Sequence, residues 1–415
     1  MRMRKVAAAL AMCTLVAAPS IARADSLSEL LPNLFGKGGI LLAPSANPAF
    51  SHQPHFTVSS EQQLTIVNDS LRGQLSNMPL PSPVGGFTFR FDPTLGAFTR
   101  TTDSFGPIYS QRADTTGRGR ITLGGSYSRF TFDTLDGKDL NNGDLNVTFI
   151  HEPVGNPPFA FEKDTITGRI KAGITSDIFV MSGTYGVTDN FDLSIAVPII
   201  RTEIRLTGIA TINRIGTANE NPPTTHRFSN GQETLTVRSA DESTGIGDIV
   251  LRAKYNFLRT TPVLLAAGLD LRLPSGSVDD LRGLGTPVVS PVFIASTQPF
   301  FGISPHVNLG LHLSGNTSKA DHEFFYNVGF DWTVVKPVTF VFDVLGRRII
   351  DNHRLQAGQG PDSTKIADSN IADASIGVKV NVWKNVLGVA NVLLPLNRTG
   401  LRDNAAWLVG AEVSF

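Results

Sequence analysis

The side chains able to do chemistry in this sequence are charged groups and imidazoles set at even spacing inside otherwise apolar segments. They are Asp248, Arg252, Lys254, Asp270, Arg272, His306, His312, Asp331, Asp343, Arg347, Asp373 and Lys379. Each sits on the polar parity of an alternating run, so one face of an extended strand would carry them together. A charge turned toward a protein interior must be paired or wet. The set therefore implies a hydrated path, an ion-pair lattice that closes a narrow interior, or both. Acids and bases occur in similar numbers, which argues against the one-signed field of a strongly ion-selective pore.

Other combinations point to little chemistry. All eight histidines follow residue 24, and none has metal-ligand spacing on a helix. His306 and His312 share a face, but six residues of strand separate them by about 20 Å. His226 and Ser229 could form a base and nucleophile, yet three-residue spacing on a strand turns them to opposite faces. Asp362, Asp368 and Lys365 fall in one expected outer loop and Asp279-Asp280 in another, where solvated charge is the plain reading. Gly245-Ile246-Gly247 lacks the following helix that a dinucleotide site needs. The expectation is no catalytic residue, no cofactor and no metal.

The elements that would position these groups follow from composition and period. The 415 residues hold 36 basic and 36 acidic side chains, for a net charge of zero. Charged residues are only 17% of the chain, against about 25% in ordinary soluble domains. The neutral balance excludes nucleic-acid binding by bulk charge. Low charge with 39 Gly and 26 Phe does not fit a disordered chain. Residues 1–24 read as a secretory signal peptide: a basic Met1–Lys5, a short apolar run, and Ala22-Arg23-Ala24 as cleavage site. Cleavage would remove Cys13, the only cysteine, so an exported chain would have no disulfide. A closed hydrogen-bonded sheet is one alternative source of stability.

Alternation of period two runs through most of the chain. In Asp248–Phe257 the even positions are polar and the odd ones apolar. Ile303–Ser314, Phe324–Val334 and Ala372–Val382 repeat the pattern. Strands of soluble sandwiches average about five to six residues, while barrel spans need about nine to eleven. The apolar faces are dense in Leu, Val, Ile and Phe, as a lipid-facing band requires. The tight turns expected at Val187–Asn190, Arg259–Pro262, Val335–Pro337 and Trp383–Asn385 alternate with long connections at Asp133–Gly143, Thr207–Ala240, Ser275–Gly285 and Arg348–Asn370. That order suits short periplasmic turns and long outer loops. A strand tally gives about fourteen, with 164–174 and 177–186 as separate strands; about twelve also fits. Residues 25–116 are interrupted by Pro44, Pro48, Pro54, Pro79, Pro81 and Pro83, which exclude central strands there. They read as a periplasmic or lumen-plugging segment, with a short amphipathic turn at Leu27–Phe35 and strands at Phe56–Val67 and Phe87–Phe91.

Six stretches resemble known families. Tyr185–Leu193, Gly245–Tyr255 and Gly268–Gly276 are similar to hairpins of the outer-membrane family named for a meta-pathway of phenol degradation. That family is placed near the long-chain fatty-acid transporter barrels, which take up hydrophobic molecules. Asn47-Pro48-Ala49 resembles an element of the transporters' plug, although Phe50 follows where they usually have Gly. His226-Arg227-Phe228-Ser229-Asn230-Gly231 resembles the His-x-Ser-Asn-Gly stretch of outer-membrane phospholipases, with one residue too many. The terminal Trp407–Phe415 strand, closing on an aromatic residue, resembles the assembly signal of outer-membrane barrels. The resemblances imply an all-β fold: a transmembrane antiparallel up-and-down β-barrel of about 12 to 14 strands over 117–415, with an irregular N-terminal segment. They further imply a bacterial outer-membrane location, contact with its lipid, and recognition of the strand ending at Phe415 by the barrel-assembly machinery. The expected activity is passive passage of a small hydrophobic or aromatic cargo. The alternatives are a lipid-modifying enzyme and a structural or adhesive barrel.

Overall fold

The computed structural model describes residues 26–37, 40–44, 52–83, 86–92, 94, 97–100, 103–154, 159–219, 225–260, 262–350 and 370–415. The expected signal segment, Asn47–Phe50 and the loop carrying Asp362, Lys365 and Asp368 lie outside them. In chain order, α1 (Leu27–Leu30) and α2 (Thr57–Ser76) precede a hairpin of β1 (Phe89–Asp92) and β2 (Ala97–Arg100). Then come β3 (Ile121–Leu135), β4 (Lys138–Asp139), β5 (Leu145–Ile150), β6 (Thr165–Gly186), β7 (Phe191–Asn213), β8 (Thr234–Ile246), β9 (Val250–Arg259) and β10 (Val263–Arg272). The rest are β11 (Val288–Thr297), β12 (Ile303–Ser314), β13 (Glu323–Val335), β14 (Val338–Ile349), β15 (Asn370–Trp383), β16 (Val386–Pro395), β17 (Leu401–Asp403) and β18 (Ala406–Ser414).

Twelve strands close into an antiparallel ring: β3, β6, β7, β9, the run β10 to β16, and β18. The ring seals on both sides of β3, which pairs β18 from Thr122↔Ser414 to Leu123↔Val413 and onward to Arg129↔Trp407. Its other edge pairs β6 from Ile121↔Tyr185 to Phe132↔Ile174. Closure leaves no open edge in the ring, which is the condition for spanning lipid with strands. The outward parity is apolar and exposed, including Leu251, Leu269, Phe293, Leu309, Val328, Ile376 and Val409. Exposed aromatics gather toward the tight-turn end at Tyr185, Phe257, Phe300, Phe301, Trp332, Trp383 and Phe415. A second set, Phe179, Phe324 and Trp407, with Tyr127 packed 5.4 Å from Trp407, stands several residues further up the strands. Two aromatic girdles bounding an apolar band define a membrane barrel.

The tally of fourteen differs from this ring in one region. Residues 165–186 form one strand of 22 residues, and β7 has 23. Both rise past the membrane band. On β6 the outward side chains change from Tyr185, Met181 and Phe179 to Asp177, Lys171 and Arg169. On β7 they change from Leu193 and Ile195 to Arg201 and Arg205. Asp177 and Arg201 are cross-strand partners and mark the level of the change. Below it β6 spans about nine residues, the length lipid requires. Above it the inward face turns apolar, with Ile166, Ile170, Ile174, Ile204 and Ile212 buried. The faces exchange character because water now lies outside and a protein cap inside. β5 and β8 widen this projecting sheet, and because β7 runs to Asn213 and β8 begins at Thr234, strands take up both ends of the expected Thr207–Ala240 loop.

The cap corrects a second expectation. Phe56–Val67 is not a strand: a 3-10 turn over Gln53–Phe56 leads into α2. Leu64, Val67, Leu71 and Leu75 recur at helical spacing and are all buried. The polar first half of α2 hides that period from inspection. α2 packs on β5, and Phe35 lies against Phe149 with ring centroids 5.4 Å apart. Phe35 also covers Gly168 and Gly208, where an added Cβ would come within 3.0 Å of its ring. Those two glycines let an aromatic ring lie directly on the sheet backbone.

Candidate functional site

Residues 104–116 cross the lumen at the tight-turn end and are almost all buried. Such a segment has no sheet partner, so wall side chains must satisfy its backbone. Asn308 does so twice, accepting from the Gln111 amide at 2.7 Å and donating to the Gln111 carbonyl at 2.8 Å. Ser296 Oγ accepts from Ala113 at 3.0 Å, and Asn256 donates to the Ala113 carbonyl at 2.7 Å. Lys254 Nζ donates to the Arg112 and Asp114 carbonyls at 3.2 and 2.5 Å. Asp192 accepts from Thr116 at 2.9 Å, and Thr339 from Phe105 at 3.0 Å. His306 lies between two buried carboxylates, with Nε2 2.6 Å from Asp343 and Nδ1 3.4 Å from Asp331. Asp343 also accepts from Ser110 at 2.7 Å, and Asp331 from Ser104. Lys254, Asp331 and Asp343 thus meet the crossing segment, and His306 reaches it through the two carboxylates.

The other sequence candidates divide among different tasks. Lys379 is buried and pairs with Glu412 at 2.8 Å, whose second oxygen accepts from the Gly86 amide at 2.9 Å. Asp248 sits in the break between β8 and β9. It accepts from the amides of Gly276 and Leu284 at 3.0 and 2.9 Å, which fastens the β10–β11 connection. Arg272 and Arg347 donate to the carbonyls of Ser76 and Asn77, the end of α2, at 3.0 and 3.2 Å. Cations at a helix C-terminus meet its negative dipole end. Arg252 forks onto its cross-strand partner Asp270 at 2.6 and 2.5 Å. Asp373 pairs with Arg402 at 2.7 Å. His312 shares a 2.7 Å hydrogen bond with Ser290 and stacks on Phe325 at 4.4 Å.

These last groups ring a cavity between the crossing segment and the end of α2. Phe130, Phe132, Leu345, Ile371, Leu393 and Leu401 supply one apolar wall, and Met78 and Leu80 of the descending chain another part. Arg252, Asp270, Arg272, Arg347, Asp373 and Arg402 form a charged girdle whose members are mostly paired with one another or with α2. An apolar chamber with a few oriented polar groups suits a small ligand that is largely hydrophobic. Asn256 and Asn308 share the polar parity of Lys254 and His306, so that parity could have flagged them. The crossing residues and Glu412 carry no local signal.

A second cluster stands at the outer mouth. His52, His55, His151 and His226 pack together with Phe56 and Phe161. Burial, and then the neighbouring imidazoles of His226, His151 and His55, pull His52 down to about 4. Burial is also the main cause that lowers His151. His226 Nδ1 lies 2.9 Å from Asp164. Burial works to raise Asp164, but hydrogen bonds from Thr217, His226 and Gly216 outweigh it and hold the carboxyl below its ordinary value. Ser229 is exposed while His226 is buried, so the structure does not present them as a nucleophile and base.

Fold and lumen together define an outer-membrane β-barrel. The family model described as "Putative MetA-pathway of phenol degradation" matches residues 139–346, and the chain belongs to that family. Among solved structures, an outer-membrane channel from Pseudomonas putida F1 is similar at 12% identity and a TM-score of 0.45, covering 74% of this chain and 99% of the other. A Pseudomonas aeruginosa FadL homologue shows 12% identity and 0.33, over 71% and 88%. The Ralstonia pickettii toluene transporter TbuX shows 12% and 0.32, over 72% and 89%. These are weak likenesses, and the barrel rests on its own ladder. No curated protein matches the chain.

Proposed function

We propose that the protein is a passive channel through which small hydrophobic or aromatic molecules cross the outer membrane. The observation that carries this reading is the cavity, apolar on one wall and bounded by paired charges, held inside a closed barrel. Paired charges present little free field, so an uncharged ring would meet apolar walls without stripping ions of their partners. The family's name is consistent with such cargo. Residues 104–116 would act as the movable part of the route, and the Arg252–Asp270 and Asp373–Arg402 pairs as its fixed rim. No chemical step at any side chain belongs to this reading. The strand ending at Phe415 would be the part that the assembly machinery recognises.

The test is flux into liposomes carrying the purified barrel, comparing phenol and toluene with a sugar of similar size. Faster entry of the aromatic compounds, reduced by Leu345→Asp on the apolar wall, is the expected result. Equal exclusion of all three, or a sugar preference that Leu345→Asp leaves untouched, would reject it.

A further inference from the structure

The imidazole cluster at the outer mouth comes from three places in the chain. His52 precedes and His55 lies within the turn that opens α2, His151 follows β5, and His226 lies in the β7–β8 connection. A ring nitrogen from each of the first three lies within 4.8 Å of the others. His52 Nδ1 is 3.1 Å and His55 Nδ1 3.4 Å from the same atom, His151 Nε2. Around a tetrahedral ion with Zn–N bonds of about 2.0–2.1 Å, neighbouring donors stand about 3.3–3.4 Å apart. Two of the three edges are therefore already near that length.

Hydrogen bonding alone accounts poorly for the arrangement. His151 Nδ1 is 2.7 Å from the Glu152 carbonyl, which accepts its proton. That fixes the tautomer and leaves Nε2 with one lone pair, toward which two other rings point. A shared cation would use all three lone pairs at once. The backbone holds the trio in place, since the Glu152 amide donates to the His55 carbonyl at 2.7 Å. His226 stands beside them, its ring 4.8 Å from that of His52 and 5.5 Å from that of His151. Its Nδ1 is held by Asp164, which in turn accepts from the amides of Ile215 and Gly216 at 2.9 Å each. A carboxylate that orients a histidine in this way is the usual outer support of a metal-binding imidazole.

We propose that His52, His55 and His151 bind a divalent late first-row transition metal, zinc being the probe of choice, with His226 as the fourth donor. An all-imidazole set favours zinc, copper or nickel over magnesium and calcium, which take oxygen ligands. The ion would join the start of α2 to the barrel rim and to the β7–β8 connection, clamping the cap. The site stands independently of the transport reading.

The experiment uses the full barrel in detergent, stripped with a chelator and titrated with Zn²⁺. One ion per chain is expected, unaffected by a large excess of Mg²⁺, with Co²⁺ giving the visible bands of a four-coordinate site. His55→Ala, His151→Ala and His226→Ala should each weaken binding at least tenfold. Heat-modifiable migration confirms that each variant is folded. Zn²⁺ should also shield the wild-type imidazoles from diethylpyrocarbonate, a readout that needs no variant. Absence of a retained ion, or affinity and shielding unchanged in the folded variants, would overturn the proposal.

Discussion

Asn308→Ala should loosen the segment that crosses the lumen while leaving the barrel intact. Asn308 is 1% exposed and faces inward from β12, away from the backbone ladder. Its amide makes two hydrogen bonds of 2.7 and 2.8 Å to Gln111. Removing it leaves a backbone donor and a backbone acceptor without their wall partners. Each such loss costs about 1–3 kcal/mol, with the lower figure applying if water enters the space left by the side chain. About 3 kcal/mol in total would raise the population of the released segment roughly a hundredfold, at about 1.4 kcal/mol per factor of ten. Hydrogen exchange of the amides at 110–116 reads that population, and planar-bilayer conductance reads its effect on the route. Asn327, the ladder partner of Asn308, is the control site, because among the described residues its side chain makes no hydrogen bond to the crossing segment. Faster exchange and a larger conductance are expected for Asn308→Ala alone. If exchange at 110–116 stays at the wild-type rate in the folded variant, the wall side chains do not hold the segment, and the reasoning fails.

Glu412→Ala leaves the buried Lys379 ammonium without its carboxylate, which should cost about 3–5 kcal/mol, whereas the double change Lys379→Met with Glu412→Leu should be far milder. Urea unfolding of the lipid-refolded barrel distinguishes the two. Phe293→Arg places a charge on the exposed outward face of β11 and should cost about 2–4 kcal/mol, read as a lower folding yield into vesicles. In metal-free protein the cap should loosen on acidification. His52 has a folded value of about 4 against an ordinary 6.5, so the unfolded segment binds more protons in that interval. Stability is then full above about pH 6.5 and falls as the pH drops toward 4. Hydrogen exchange around residues 52–56 should accelerate in that window, and a flat profile would contradict the assignment.

The membrane band was legible because lipid and water impose opposite demands on alternate residues. In β12 to β16 both solvents persist along most of each strand, so parity alone separates Leu309 and Val328 from His306 and Asp331. Legibility failed where a face changed its surroundings. On β6 the outward side passes from lipid to water at Asp177, and the inward side passes from polar to cap-covered at Ile178 and Ile174. A single strand then reads as two. The cap helix failed for a related reason: its buried Leu64, Val67, Leu71 and Leu75 follow a start, Thr57–Gln63, that is mostly polar in sequence, so the helical period is short.

The partners of the inward charges were the least legible part. Parity identifies Lys254 and Asp343 as inward, yet their contacts at Arg112, Asp114 and Ser110 lie 142, 140 and 233 residues away in sequence. Nothing local in Ser104–Thr116 announces a segment that will cross a barrel, since its stability comes from wall groups rather than from its own pattern. The imidazole cluster obeys the same rule: His52 and His151 are 99 residues apart and His55 and His151 are 96 apart, although they share one nitrogen's surroundings. The one local hint was the three-residue step from His52 to His55, which gains meaning only on the turn that starts α2. Sequence period thus reports the solvent that a face meets. It does not report which distant side chain meets it, and in this barrel the lumen contacts and the mouth cluster are set by those distant meetings.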